Sequence, residues 1–216
     1  MKTDLEIQKD VIAELNWEPS VNPTDIGVEV KDGIVTLSGY VGSYAEKCNA
    51  EHAAQRVYGV QGLAVEIAVK LSGFNNRSDA DIARTVENVL LWTTDLPKTT
   101  LKVMVEDGWI TLSGEVDWEY QKRAAVDAVR YLMGVKGVSD DIHLKPRISV
   151  TLIKADIEDA LKRRARNDAR DIKVDISGSE VTLGGVVHSS YERDLASHSA
   201  WCSPGVLQVK NNMTIE

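Results

Sequence analysis

Cysteine is nearly missing from this chain of 216 residues, where only Cys48 and Cys202 occur. Two thiols at unrelated places make no disulfide framework, so stability has to come from packing, and a reducing compartment suits them. Long apolar runs are missing too. Nothing in the sequence is long and apolar enough to cross a bilayer as a helix. The start, MKTDLEIQKDVIAELN, is amphipathic and acidic rather than a continuous apolar stretch of signal type. The expected location is therefore cytoplasmic, or peripheral at the inner membrane surface, and no transmembrane segment is expected. Positive charge is also in short supply. The net charge of −8 is a poor basis for general nucleic-acid binding, which depends on neutralising phosphates.

The usual signatures of chemistry are absent as well. There is no His-x-x-x-His or Cys-x-x-Cys pair to hold zinc, no G-x-S-x-G elbow and no P-loop. Neither cysteine is read as having a histidine partner nearby in sequence. The glycines of TLSG and GVQG read as turn and cap residues rather than as the GXXG clamp by which some small α/β modules grip nucleotide backbones. No enzyme, metal, cofactor or nucleic-acid partner is expected.

What the chain has is repetition. GIVTLSGYVGS at residues 33–43 returns as GWITLSGEVDW at 108–118 and as SEVTLGGVVHS at 179–189. The register extends well beyond the phrase. Ile7, Val11 and Leu15 align with Ile82, Val86 and Leu90, then with Ile153, Ile157 and Leu161. Ile26, Val28 and Val30 align with Leu101, Val103 and Val105, then with Ile172, Val174 and Ile176. Such a repeat dictates the fold of the whole chain. A unit of roughly 70 residues buries only about 60% of its unfolded-chain surface, so contacts between copies are expected to add stability.

Each copy opens with apolar residues four apart, one face of a helix. Thr3 with Glu6, and Ser78 with Asp81, stand where capping boxes would start that helix. Two alternating stretches follow, such as IGVEV and IVTLSGYV, which read as strands with one buried face. Asp32-Gly33 and Asp107-Gly108 between them are strong type I′ hairpin signals. Copy three has Ser177-Gly178-Ser179 there, for which a looser turn is expected. Gly39, Gly114 and Gly185 fall where the second strand is expected to end. A second helix begins at Ser43-Tyr-Ala-Glu46, echoed by Ser189-Ser-Tyr-Glu192, and carries Ala50, Ala54 and Val57 inward. A last strand holds Leu63, Ile67 and Val69. A right-handed strand-helix-strand crossover places it parallel to the second. The fold class is α+β: three tandem αββαβ domains at 1–72, 76–146 and 149–216, each a three-stranded mixed sheet with two helices packed on one face.

The order αββαβ, with DG.VTLSG.V and then A…A…GV..V, resembles the BON domain of bacterial osmotically induced and nodulation proteins. The resemblance spans essentially the whole chain and is sharpest from Asp32 to Gly39 and from Asp107 to Gly114. It implies a non-enzymatic module linked to envelope stress and osmotic-shock protection, binding phospholipid or partner proteins. Many such proteins are periplasmic or lipid-anchored. The matched residues bear the fold and carry over no functional site.

Candidate contact residues come from departures between copies. Copies one and two carry charges of −5 and −3, and copy three is neutral. Copy three concentrates Lys162, Arg163, Arg164, Arg166 and Arg170 at the end of its first helix. Cations there meet the helix dipole, but five exceed what capping needs, and such a cluster attracts anionic lipid. Trp118 and Tyr120, just at the second helix of copy two, are candidates for an exposed contact. Trp17 and Trp92 align at the end of the first helix and are expected to close their own cores. Trp109 is expected to pack across strands, and the equivalent His52 and His198 to sit on a solvated helix face. The expected partner is an anionic phospholipid surface or, alternatively, a protein bound in osmotic or envelope stress.

Overall fold

Thr3 begins the first helix as its sequence promises. Its Oγ1 accepts from the Glu6 amide, and Glu6 Oε2 accepts from the Thr3 amide at 2.8 Å. The structure is a computed structural model describing residues 2–73, 76–94, 96–97, 101–145, 172–203 and 206–215. Copy one runs α1 (Asp4–Trp17), β1 (Ile26–Lys31), β2 (Ile34–Val41), α2 (Tyr44–Arg56) and β3 (Gly62–Val69). Copy two runs α3 (Asp79–Trp92), β4 (Leu101–Glu106), β5 (Trp109–Val116), α4 (Glu119–Arg130) and β6 (Gly137–Leu144). Copy three gives β7 (Lys173–Ser177), β8 (Glu180–Val187), α5 (Ser190–Trp201) and β9 (Gln208–Ile215). Its expected first helix, around Ile153, Ile157 and Leu161, lies outside the described residues.

Every sheet has the same order, with the second strand central, antiparallel to the first and parallel to the third. The repeated phrase is this central strand. Val35, Leu37 and Val41 are buried in copy one, Ile110, Leu112 and Val116 in copy two, and Val181, Leu183 and Val187 in copy three. They sit on alternate residues, so one pleat face supplies the floor of each core. The helices cover that face with Ile7, Val11 and Leu15 from α1 and Ala50, Ala53 and Ala54 from α2. Each fully buried branched side chain contributes about 1.5–3 kcal/mol, and the alanines let α2 lie close to the sheet.

Turn chemistry follows the residues. Asp32 and Gly33 have φ of 52° and 74°, and Asp107 and Gly108 of 50° and 78°, the double positive φ of a type I′ turn. The looser turn expected in copy three is not found. Ser177 pairs with Glu180 across the same two-residue connection, and only Gly178 is left-handed there, at 61°. Glycine at the first central position alone is the type II′ solution, equally tight. Gly39, Gly114 and Gly185 lie inside the central strand rather than at its end, with φ between 115° and 128°. A Cβ on Gly39 would collide with the Asp25 carbonyl oxygen.

Trp17 and Trp92 do not close the cores. They are 82% and 87% exposed. The chain turns under the helix end and inserts Val21 and Leu96, themselves at equivalent repeat positions, which bury in their place. Trp109 does pack across strands: its ring lies against Gly137, its partner on β6, and its Nε1 donates to Ser139 Oγ at 2.7 Å.

The second helices bring the copies together. Tyr44 of α2 packs against the core of copy two and feels the charge of Arg130 on α4. Arg123 of α4 donates to Nδ1 of His198 on α5 at 2.8 Å. Asp194 of α5 in turn reaches His52 of α2 electrostatically. In repeat register Arg123 equals Asp194, and His198 equals His52. The same two repeat positions thus face each other at both junctions, hydrogen-bonded at one and within reach of charge at the other. Contacts link copy one to copy two, copy two to copy three and copy three to copy one. Tyr58 of copy one stacks on His188 of copy three, ring centroids 6.3 Å apart, along the same closing side.

Candidate functional site

Of the residues singled out from sequence, Lys162, Arg163, Arg164, Arg166 and Arg170 lie outside the described residues. Trp118 and Tyr120 do come together. They line a groove of about 380 Å3 with Glu119, His198, Trp201 and Cys202, between the start of α4 and the end of α5. Tyr120 is half exposed, and Trp118 is partly buried.

Local chemistry explains how α4 presents this wall. At the start of the equivalent helices, Ser43 and Ser189 cap the Glu46 and Glu192 amides at 3.1 and 3.2 Å. In copy two that position is Trp118, with no side-chain cap hydrogen bond. Gln121 compensates in part, its Oε1 accepting from the amides of Asp117 and Trp118 at 3.0 and 3.1 Å. The indole thus occupies a cap position, and an aromatic ring is placed at the mouth of the groove where the other copies have a small polar residue.

The polar floor is a chain of three groups. Glu119, whose side chain is 14% exposed, accepts from Arg123 Nε at 3.2 Å. Arg123 donates onward to His198 Nδ1. Because arginine only donates, Nδ1 is the bare nitrogen in that bond. Nε2 of the neutral ring then carries the proton and faces Cys202 Sγ at 3.8 Å.

Sequence reading missed the His198–Cys202 pairing, although the two stand four apart on one helix, as do Cys48 and His52. That spacing was the available signal. Burial pushes the Cys48 thiol up from its ordinary value, which disfavours the thiolate. The solvated face expected for His52 and His198 is only part of the picture. His52 is exposed, yet loss of surrounding water, then Arg130 and Arg56, hold its imidazole below 6.5. His198 is half buried in the groove. Among the described residues no cluster of three His, Cys, Asp or Glu could hold a metal, and no helix there is long and apolar enough to cross a membrane.

Comparison with known proteins gives a consistent picture. The BON domain family matches at residues 3–70, 78–146 and 149–216. Osmotically-inducible protein Y of Escherichia coli (strain K12) is 32% identical over 146 residues, covering 66% of this chain and 73% of that protein. Two solved structures of CdsD, a structural protein of the type III secretion system of Chlamydia trachomatis, align at 13% and 14% identity. The first, its C-terminal domain, is covered in full with a TM-score of 0.26, and the second over 92% with a TM-score of 0.25. The matches correct the cytoplasmic expectation, because BON domains occur in periplasmic and envelope proteins and the Escherichia coli relative is periplasmic. Neither observation behind that expectation fixes a compartment. The two cysteines form no disulfide, and the amphipathic start is the capped first turns of α1.

Proposed function

Because the chain belongs to the BON domain family, in three tandem copies, with a stress-related, envelope-associated role, we propose that it is a non-enzymatic module that binds an anionic phospholipid surface. The observation that carries this reading is the exposure of Trp17 and Trp92, 82% and 87%, at one repeat position. Indoles are amphipathic and favour the boundary between water and an apolar phase. Copy three carries Arg163 at that position, within the cluster Lys162, Arg163, Arg164, Arg166 and Arg170. Two aromatic anchors and one basic patch thus recur at the same place in the module. Each cation near an anionic surface contributes about 1 kcal/mol. The net charge of −8 opposes approach at long range, but salt screens it beyond about 8 Å at physiological ionic strength. The local patch then decides the contact.

Co-sedimentation with vesicles tests this. The full chain is expected to pellet with phosphatidylglycerol or cardiolipin at low salt and less so at physiological salt. Trp17→Ala with Trp92→Ala, and Arg163, Arg164 and Arg166 changed together to Glu, should each weaken pelleting. Absence of pelleting at low salt, where attraction is strongest, would sink the proposal and favour a protein partner.

A further inference from the structure

The groove between α4 and α5 lies beside the core of copy three, against which Trp201 packs while also lining the groove. Its two indoles both depart from the repeat. Trp118 replaces Ser43 and Ser189, and Trp201 replaces Gln55 and Arg130. The first departure gives up a helix cap, generally worth about 1 kcal/mol. Residues that break a local rule at such a cost are expected at functional positions. The space enclosed, about 380 Å3, is that of a small-molecule pocket.

The wall chemistry narrows the occupant. Trp118, Tyr120 and Trp201 line it with aromatic surface, and aromatic faces are electron-rich. Among the described lining residues the one carboxylate, Glu119, is already committed to Arg123 at 3.2 Å, and Arg123 to His198 at 2.8 Å. The ionic floor is therefore neutral as a unit. A compact, strongly hydrated cation such as an ammonium needs oxygen acceptors to replace its water, and the one carboxylate is taken. An anion would face ring faces of its own sign. A quaternary ammonium group spreads its charge over methyl groups, donates no strong hydrogen bond and is drawn to aromatic faces. We propose that this groove binds a quaternary ammonium head, carried either by a small soluble ion or by a choline phospholipid. The site is independent of the anionic-surface reading, and the two stand or fall separately.

The test uses the full chain labelled with 15N, following the five indole N–H resonances during titration with tetramethylammonium chloride at constant ionic strength. Saturable shifts confined to Trp118 and Trp201 are expected, with no comparable response to ammonium or to the neutral isostere 3,3-dimethylbutanol. Trp201→Ala and Trp118→Ser should each weaken binding at least about fivefold. The second substitution restores the serine cap of the other copies and so keeps the fold. Phosphatidylcholine vesicles that pellet the chain and release it to tetramethylammonium assign a lipid-borne head. Binding of the soluble ion alone assigns a free one. An equal response to dimethylbutanol, or shifts spread evenly to Trp17 and Trp92, would overturn the proposal by showing an unselective apolar surface.

Discussion

Single positions carry opposite tensions in this protein, and the three copies serve as one another's controls. Trp118 sits where Ser43 and Ser189 cap their helices, so Trp118→Ser should regain a cap and stabilise copy two by about 1 kcal/mol. Denaturant unfolding followed at Trp109, whose ring packs on Gly137 within the same copy, checks this; a lower midpoint would mean the indole packs better than a capped serine. Gly39 and Gly178 make a second pair. Both are left-handed, at 115° and 61°, but a Cβ on Gly39 meets the Asp25 carbonyl oxygen, whereas one on Gly178 meets nothing. Gly39→Ala should therefore cost at least about 2 kcal/mol, and Gly178→Ala only about 1–2 kcal/mol of backbone strain. Equal losses in urea melts would show that strain alone matters at both. The need for a glycine was legible at Gly39, whereas a looser turn was expected around Gly178; that Gly39 abuts a backbone oxygen was not legible, because that oxygen belongs to a turn the pattern does not locate.

At the level of elements, the hairpin turn and the first helix form one device. Asp4 at the start of α1 accepts from the amides of Asp32 and Gly33 at 2.9 and 3.0 Å. Asp79 of α3 does the same for Asp107 and Gly108, both at 2.9 Å. A carboxylate clamps the type I′ turn from the neighbouring element and so fixes where the helix lies against the hairpin. Copy three has lost both halves, since Val150 stands at the aspartate position and Gly178-Ser179 replaces the Asp-Gly turn. The turn signal was readable locally, but the clamp was not, for its donor and acceptor are 28 and 29 residues apart. Asp79→Ala should cost about 1.5–3 kcal/mol, the range for hydrogen bonds to a charged group, and speed amide exchange at Asp107 and Gly108. Unchanged exchange there would mean the type I′ geometry holds itself.

For the whole molecule, the repeats foretold the architecture of each copy but not how the copies meet, because meeting positions are those where the copies differ. Tyr44, Glu119 and Ser190 are equivalent, as are Cys48, Arg123 and Asp194, and no periodicity predicts which side chain finds which. Histidine concentrates at these junctions, so the closed cycle should respond to acid. His52 is faced by Arg130 and Asp127 of α4 and Asp194 of α5, with Arg56 on its own helix. Its folded value lies below the unfolded 6.5, so the unfolded chain takes up the proton first. Stability is then complete above pH 6.5 and declines as pH falls beneath it. One group opposes the trend. Glu51, pushed up by burial from 4.5, returns stability as pH falls through its raised value, a window lying lower. Between pH 7.5 and 6 the loss at His52 should lower the Tm on the order of 1–2 °C and enlarge the radius of gyration in solution scattering. His52→Gln should flatten both responses. If neither Tm nor radius moves with pH in the native chain, the junctions are not what holds the three copies together.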